Sequence, residues 1–147
     1  MKYLLQILLL LCVLSYHANS QSLTDTGFAG QKQRIDSITA ITDSNKMLTH
    51  NLFLGSLVWG SFNANIFYMV GTPVINKAEY FFTTGSAGKK IFYYNNNQLI
   101  KVIDNGTEYY YDSKLFDKSG KPIKDYIAKD LVLFSQESYR MMLSMIQ

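Results

Sequence analysis

The sequence predicts an α+β domain, with an antiparallel β-meander of four to five strands packed against an N-terminal and a C-terminal helix. Three observations lead there. Apolar residues recur every three to four positions in two separated stretches, 28–49 and 124–146. Between those stretches, short runs rich in aromatic and β-branched residues are punctuated by Gly, Asn and Asp. From Phe62 to Val70, apolar and mixed positions alternate with a period of two.

The chain opens on a secretory leader. Lys2 is followed by an apolar run, Leu4 to Leu14, broken only by Gln6, and Ala18-Asn19-Ser20 supplies the small-x-small pattern of a signal-peptidase site. The expected organisation is therefore a signal peptide over 1–20 and a single domain over 21–147, exported to the periplasm or the extracellular space. Cleavage removes Cys12, the chain's one cysteine, and His17, one of its two histidines. The mature domain is then cysteine-free, with no disulfide and no thiolate metal site. A lipid anchor at Cys12 is disfavoured, because Leu11 precedes it and the apolar run continues beyond it.

The first helix is expected from Phe28 to about Thr49, with Asp25 and Thr26 as N-caps. Ile35, Ile38, Ile41, Leu48 and Leu52 form its apolar stripe, and Lys32, Arg34, Asp36 and Asp43 fall mainly off it. From Met47 to Asn76 there is no Asp, Glu, Lys or Arg. Three readings of that stretch stand: a buried strand around 62–70, an exposed apolar surface, or a membrane helix at about 52–71. Ser56, Ser61, Asn63, Asn65, Gly55 and Gly60 argue against the membrane helix, and no membrane attachment is expected.

The meander follows. Glu79–Thr83, Lys90–Tyr94, Leu99–Ile103 and Thr107–Tyr111 read as strands. Asn105-Gly106 is the strongest local signal, because this pair accepts the positive φ angles of a tight hairpin turn. Asp117-Lys118-Ser119-Gly120-Lys121-Pro122 reads as a turn. A closing helix is expected from about Lys124 to Ile146, with Ile127, Leu131, Phe134, Met141 and Met145 on one stripe.

Ala78-Glu79-Tyr80-Phe81-Phe82, Lys90-Ile91-Phe92-Tyr93-Tyr94-Asn95, Leu99-Ile100-Lys101-Val102 and Glu108-Tyr109-Tyr110-Tyr111 carry a resemblance beyond the local pattern. On these strand-and-turn segments the chain resembles small uncharacterised exported bacterial proteins with a helix and a Tyr-rich meander. The resemblance implies an architecture and brings no activity with it.

Several chemistries lack their residues. The full chain carries a net charge of +3 with the two signs interspersed, not the concentrated basic face of a nucleic-acid binder; no nucleic-acid partner is expected. His50 is the one histidine left after cleavage, and no HExxH or multi-histidine cluster exists, so neither a metal nor a cofactor is expected. Gly85-Ser86-Ala87-Gly88-Lys89-Lys90 has the wrong glycine spacing for a phosphate-binding loop, and Thr84 stands where a nucleophile elbow needs glycine. Asn105-Gly106-Thr107 matches a glycosylation acceptor, but the hairpin already accounts for it. Glu79 and Glu108 are a candidate carboxylate pair of glycosidase type. Tyr93, Tyr94, Tyr109, Tyr110 and Tyr111 are the candidate ligand-binding residues. Neighbours on a strand face opposite ways, so some of them are exposed unless a helix covers each face of the sheet. The expected function is an exported, non-enzymatic binding module that takes a protein, peptide or glycan on its aromatic sheet face. The alternative is a small hydrolase-like enzyme using a carboxylate or His50 in a sheet-helix cleft; no catalytic residue is assigned.

Overall fold

A computed structural model describes residues 27–85 and 88–146. The expected leader over 1–20 and the expected N-caps Asp25 and Thr26 lie outside the described residues, as do Ser86 and Ala87. Two compact units are distinguished, 1–31 and 32–147. In the first, the described residues 27–31 begin a helix, with the Gly30 and Gln31 amides donating to the Gly27 carbonyl at 2.9 and 3.3 Å.

The architecture is α+β. Helix α1 (Phe28–Ser44) is followed by strands β1 (Thr49–Leu57), β2 (Gly60–Tyr68), β3 (Ile75–Phe82), β4 (Gly88–Asn95), β5 (Gln98–Asp104), β6 (Thr107–Asp112) and β7 (Lys114–Phe116), then helix α2 (Asp125–Ile146). The strands form one antiparallel sheet in sequence order. The sheet thus has seven strands instead of the expected four to five. The additional strands are β1, which begins where the first helix had been expected to end, and the short β7.

The first helix ends at Ser44 because the segment after it turns. The Asn45 side chain accepts from the Met47 amide at 2.9 Å, a local bond that competes with helix continuation. Leu48 and Leu52 share a helical spacing, but the chain from Thr49 pairs residue by residue with β2, Phe53 opposite Ala64 and Gly55 opposite Phe62. His50 consequently lies on β1 and not at a helix end, with its ring 5.8 Å from that of Phe67. Residues 52–71 are strand and turn, and among the described residues no helix is long and apolar enough to cross a membrane.

The two faces of the sheet differ in kind. On one face Phe62, Ala64, Ile66, Ala78, Tyr80, Phe92 and Val102 are buried with Leu131, Phe134, Tyr139 and Met142 of α2. Phe134 is the hub: its ring lies 4.9 Å from Tyr80 and 5.3–6.1 Å from Trp59, Phe62, Phe82 and Phe92. Such an edge-to-face cluster adds to plain area burial. Ser135 and Ser138 are also fully buried, while Met145 of the expected stripe is 49% exposed. The buried face of α2 is therefore rotated from the expected one. Small serines let the helix approach the Tyr80 and Tyr94 side chains closely, and each serine hydroxyl is hydrogen-bonded.

The opposite face is polar and meets α1 through charges. Of the expected apolar stripe, Ile35 is buried and Ile41 is 67% exposed. Instead, Asp36 and Asp43, expected off the packed stripe, point at the sheet. The Asp36 Oδ1 atom accepts from Lys101 Nζ at 2.7 Å, and Asp43 Oδ1 accepts from Lys77 Nζ at 2.7 Å.

Hairpin turns behave as their residues dictate. Asn105 and Gly106 have φ of 48° and 85°, and Asn96 and Asn97 have 49° and 66°, the left-handed pair of a two-residue turn. Gly60 answers a different need. At φ 129° it brings the β1–β2 turn so close to the next hairpin that a Cβ would sit 2.2 Å from the Thr84 carbonyl oxygen.

Candidate functional site

The register assigns each candidate tyrosine to a face. Lys77, Tyr93, Lys101 and Tyr110 are successive partners across β3 to β6 and share the α1 face. Ala78, Phe92, Val102 and Tyr109 share the α2 face, as do Tyr111 and its partner Leu115. Both faces are covered, so alternation does not force exposure. Tyr93, Tyr94 and Tyr110 are 4%, 3% and 2% exposed, whereas Tyr109 and Tyr111 are half-buried. The five do not make one surface strip.

Tyr93 and Tyr110 belong to the charge lattice under α1. The Tyr110 hydroxyl lies 3.0 Å from Asp36 Oδ1 and 2.9 Å from Glu108 Oε2, and the Tyr93 hydroxyl donates to Asp43 Oδ2 at 2.9 Å. Burial and the neighbouring carboxylates push both phenols above their ordinary range. Burial alone would raise the Asp36 carboxyl, but hydrogen bonds from Lys101, Lys32 and Tyr110 outweigh it and hold the pKa at about 2. Lys101, 6% exposed, also lies 3.6 Å from Glu108. These groups are mutually satisfied, which suits attachment of the helix better than capture of a ligand.

Glu79 and Glu108 occupy the same row of this face, but Ile91 and Ile103 stand between them. Three strand spacings separate them by about 14 Å, well beyond the carboxyl separations of glycosidases. Each is also paired, Glu79 with Lys77 at 2.7 Å and Glu108 with Lys118 at 3.5 Å. Burial opposes ionisation of both, yet those lysine contacts, with the Tyr110 hydroxyl at Glu108, leave their carboxyls below the usual range. His50 shares this face, three strand spacings from Tyr93 along the same row.

On the α2 face lies a cleft of about 560 Å³, between the β4–β5 hairpin, the end of β6 and the second half of α2. That volume falls within the ~300–1,000 Å³ of small-ligand sites. Its floor is aromatic. The rings of Tyr94 and Tyr139 lie 4.7 Å apart, and Tyr111 forms another part of the lining. The Tyr139 hydroxyl donates to Asn97 Oδ1 at 2.5 Å, and the Tyr94 hydroxyl lies 3.2 Å from Ser135 Oγ. Burial raises the Tyr94 and Tyr139 phenols, so both remain neutral donors at physiological pH.

Two local irregularities shape this cleft. Tyr93 pairs with Lys101 but Tyr94 with Leu99, so Ile100 is a bulged residue that bends the end of β5. Ser113, at φ 58°, turns the chain sharply after Asp112. Gln136 and Arg140 rise from α2 at the rim, with Asp112 across the opening. Among the described residues neither Arg140 nor Asp112 is held in an ion pair. A second cleft beside Trp59 and Tyr126, about 170 Å³, is too small for an equivalent role.

Sequence reasoning reached Tyr94 and Tyr111 but missed Tyr139, Asn97, Gln136 and Arg140. Tyr139 and Arg140 come from a helix whose rotation on the sheet sets what they line. Among the described residues, no group of three or more His, Cys, Asp or Glu is placed to hold a metal ion. Comparison with protein-family models, with curated proteins and with solved structures finds no match to this chain.

Proposed function

We propose that the protein is an exported, non-enzymatic binding module that takes a short polar ligand, a glycan or peptide segment, in the cleft between the β4–β6 end of the sheet and α2. One observation carries this reading. The cleft joins an aromatic wall, Tyr94, Tyr111 and Tyr139, to rim groups of both signs, Arg140 and Asp112, that among the described residues no ion pair occupies. Aromatic faces stack on sugar rings or peptide planes, and amide and charged groups then fix orientation. The leader supports an exported location, because its charge, apolar run and small-residue site match a secretory signal. The resemblance to small exported bacterial proteins agrees with that location.

Titration of the protein with neutral oligosaccharides and with short peptides, followed by amide and aromatic NMR shifts, tests the reading. Resonances of Asn97, Tyr111, Gln136 and Arg140 are expected to move together. Tyr111→Ala and Arg140→Ala are each expected to abolish the response; Arg140→Ala, at an exposed position, leaves Tm within about 2 °C, whereas Tyr111→Ala, packed against the core, lowers it while the chain stays folded. Shifts confined to other surfaces, or a response surviving both substitutions, would refute it.

A further inference from the structure

The sheet has two edges, and they are finished differently. At the far edge β7 is only three residues long, and the chain folds back over it. Pro122 bridges Phe116, and the Ile123 amide donates to the Leu115 carbonyl at 3.1 Å. At the near edge β1 is nine residues long and pairs with β2 alone. Among the described residues no backbone bond reaches β1 from its outer side. Long open edges in natural proteins are ordinarily guarded by lysine, proline or a bulge. Thr49–Leu57 has none of these, its register with β2 is unbroken, and no charge occurs from Met47 to Asn76.

The exposed apolar groups of this edge are arranged symmetrically. Leu52 and Leu54 point to the α1 face, 66% and 76% exposed, on either side of Phe53. We propose that β1 pairs antiparallel with β1 of a second copy about a two-fold axis at Phe53, placing Leu52 of each copy opposite Leu54 of the other. In that register His50 meets Ser56 and Asn51 meets Gly55, so no position opposes two charges or two bulky polar groups. A two-fold contact brings each residue near its own image, so charge near the axis repels itself. The absence of charge along this edge is the electrostatic condition that self-pairing requires. Four leucines then close over one another, and the outward amides and carbonyls of both strands are satisfied. A lipid surface would cover the leucines but leave those backbone groups without partners.

The edge is about 30 Å long at ~3.4 Å per residue, which places the contact at the small end of specific interfaces. A reversible dimer with Kd on the order of 10 µM is expected.

Sedimentation equilibrium of the full chain from about 1 to 300 µM reads this directly. The expected result is a monomer–dimer transition that Leu52→Lys with Leu54→Lys shifts at least tenfold toward monomer, with the circular dichroism spectrum unchanged. A second measurement fixes the register. Leu52→Cys and Leu54→Cys chains, mixed under mild oxidation, are expected to cross-link faster than either alone, with peptide mapping joining position 52 to 54. A chain monomeric throughout the range overturns the proposal. So does an unchanged dimer in the lysine variant, a mixture that links no faster than its components, or a monomer that instead saturates on neutral phosphatidylcholine vesicles.

Discussion

Asp36 of α1 accepts a hydrogen bond from Lys101 of β5 at 2.7 Å, and through it a helix with little apolar face is fastened to the polar side of the sheet. Lys101 is almost fully buried there, and its ammonium is paired with Asp36 and lies 3.6 Å from Glu108. Removing one partner of such a group costs more than the pair contributes as an isolated contact.

This relationship has an acid signature. The Asp36 carboxyl titrates at about 2 in the fold against an ordinary 3.8. Its contribution is therefore complete above pH 4 and is lost as pH falls toward 2. Asp36→Asn is expected to cost about 1 kcal/mol at neutral pH, a discounted figure because the side chain is 35% exposed. Urea unfolding between pH 2 and 7 checks this: the variant's stability falls less steeply below pH 4 than that of the parent.

Phe134 anchors α2 among five aromatic rings. Phe134→Ala is expected to lose about 3–5 kcal/mol, a large share of the ~5–15 kcal/mol of a typical domain. Phe134→Leu, which keeps most of the volume, is expected to lose less than half as much. Denaturant midpoints of the two variants test the ratio, and equal losses would point away from a cavity effect.

Gly60 and Gly71 separate crowding from backbone strain. Both have positive φ, but a Cβ on Gly60 meets the Thr84 oxygen at 2.2 Å, whereas one on Gly71 meets nothing within 4 Å. Gly71→Ala is expected to cost about 1 kcal/mol from conformation alone. Gly60→Ala is expected to cost about 3 kcal/mol, because the β1–β2 turn must also move away from the β3–β4 hairpin. Paired thermal melts decide it.

The Tyr139–Asn97 hydrogen bond ties α2 to the β4–β5 turn across the cleft. Tyr139→Phe is expected to cost about 1 kcal/mol and to increase amide exchange at Asn96 and Asn97. Exchange confined to its original rate would show that the left-handed turn alone holds the cleft's edge.

Much of the fold was legible from local chemistry. The closing helix was expected from about Lys124 to Ile146 and runs from Asp125 to Ile146, because its apolar spacing and the turn before it are both local. The Asn105-Gly106 hairpin and the buried alternation of Phe62, Ala64 and Ile66 were likewise readable. Strand β1 was not, since Leu48 and Leu52 fit a helical period and the exposed Leu52 and Leu54 gave no clean sign of burial. The candidate cleft was half legible: its strand tyrosines were visible as aromatic residues, but Tyr139 and Arg140 looked like ordinary helix positions.

The sequence by itself determined the α+β class, the closing helix and the tight turns. These follow from composition, periodicity and the φ preferences of Asn and Gly, all of which act over a few residues. Only the tertiary structure decided which tyrosines are buried, because that depends on helices covering both faces of the sheet. It also decided that Asp36 and Asp43 face inward, since a buried lysine contributed from 65 residues away is what makes an inward carboxylate favourable. Where an edge is left open, as at β1, is likewise fixed by which strands find partners, a matter of long-range pairing and not of local preference.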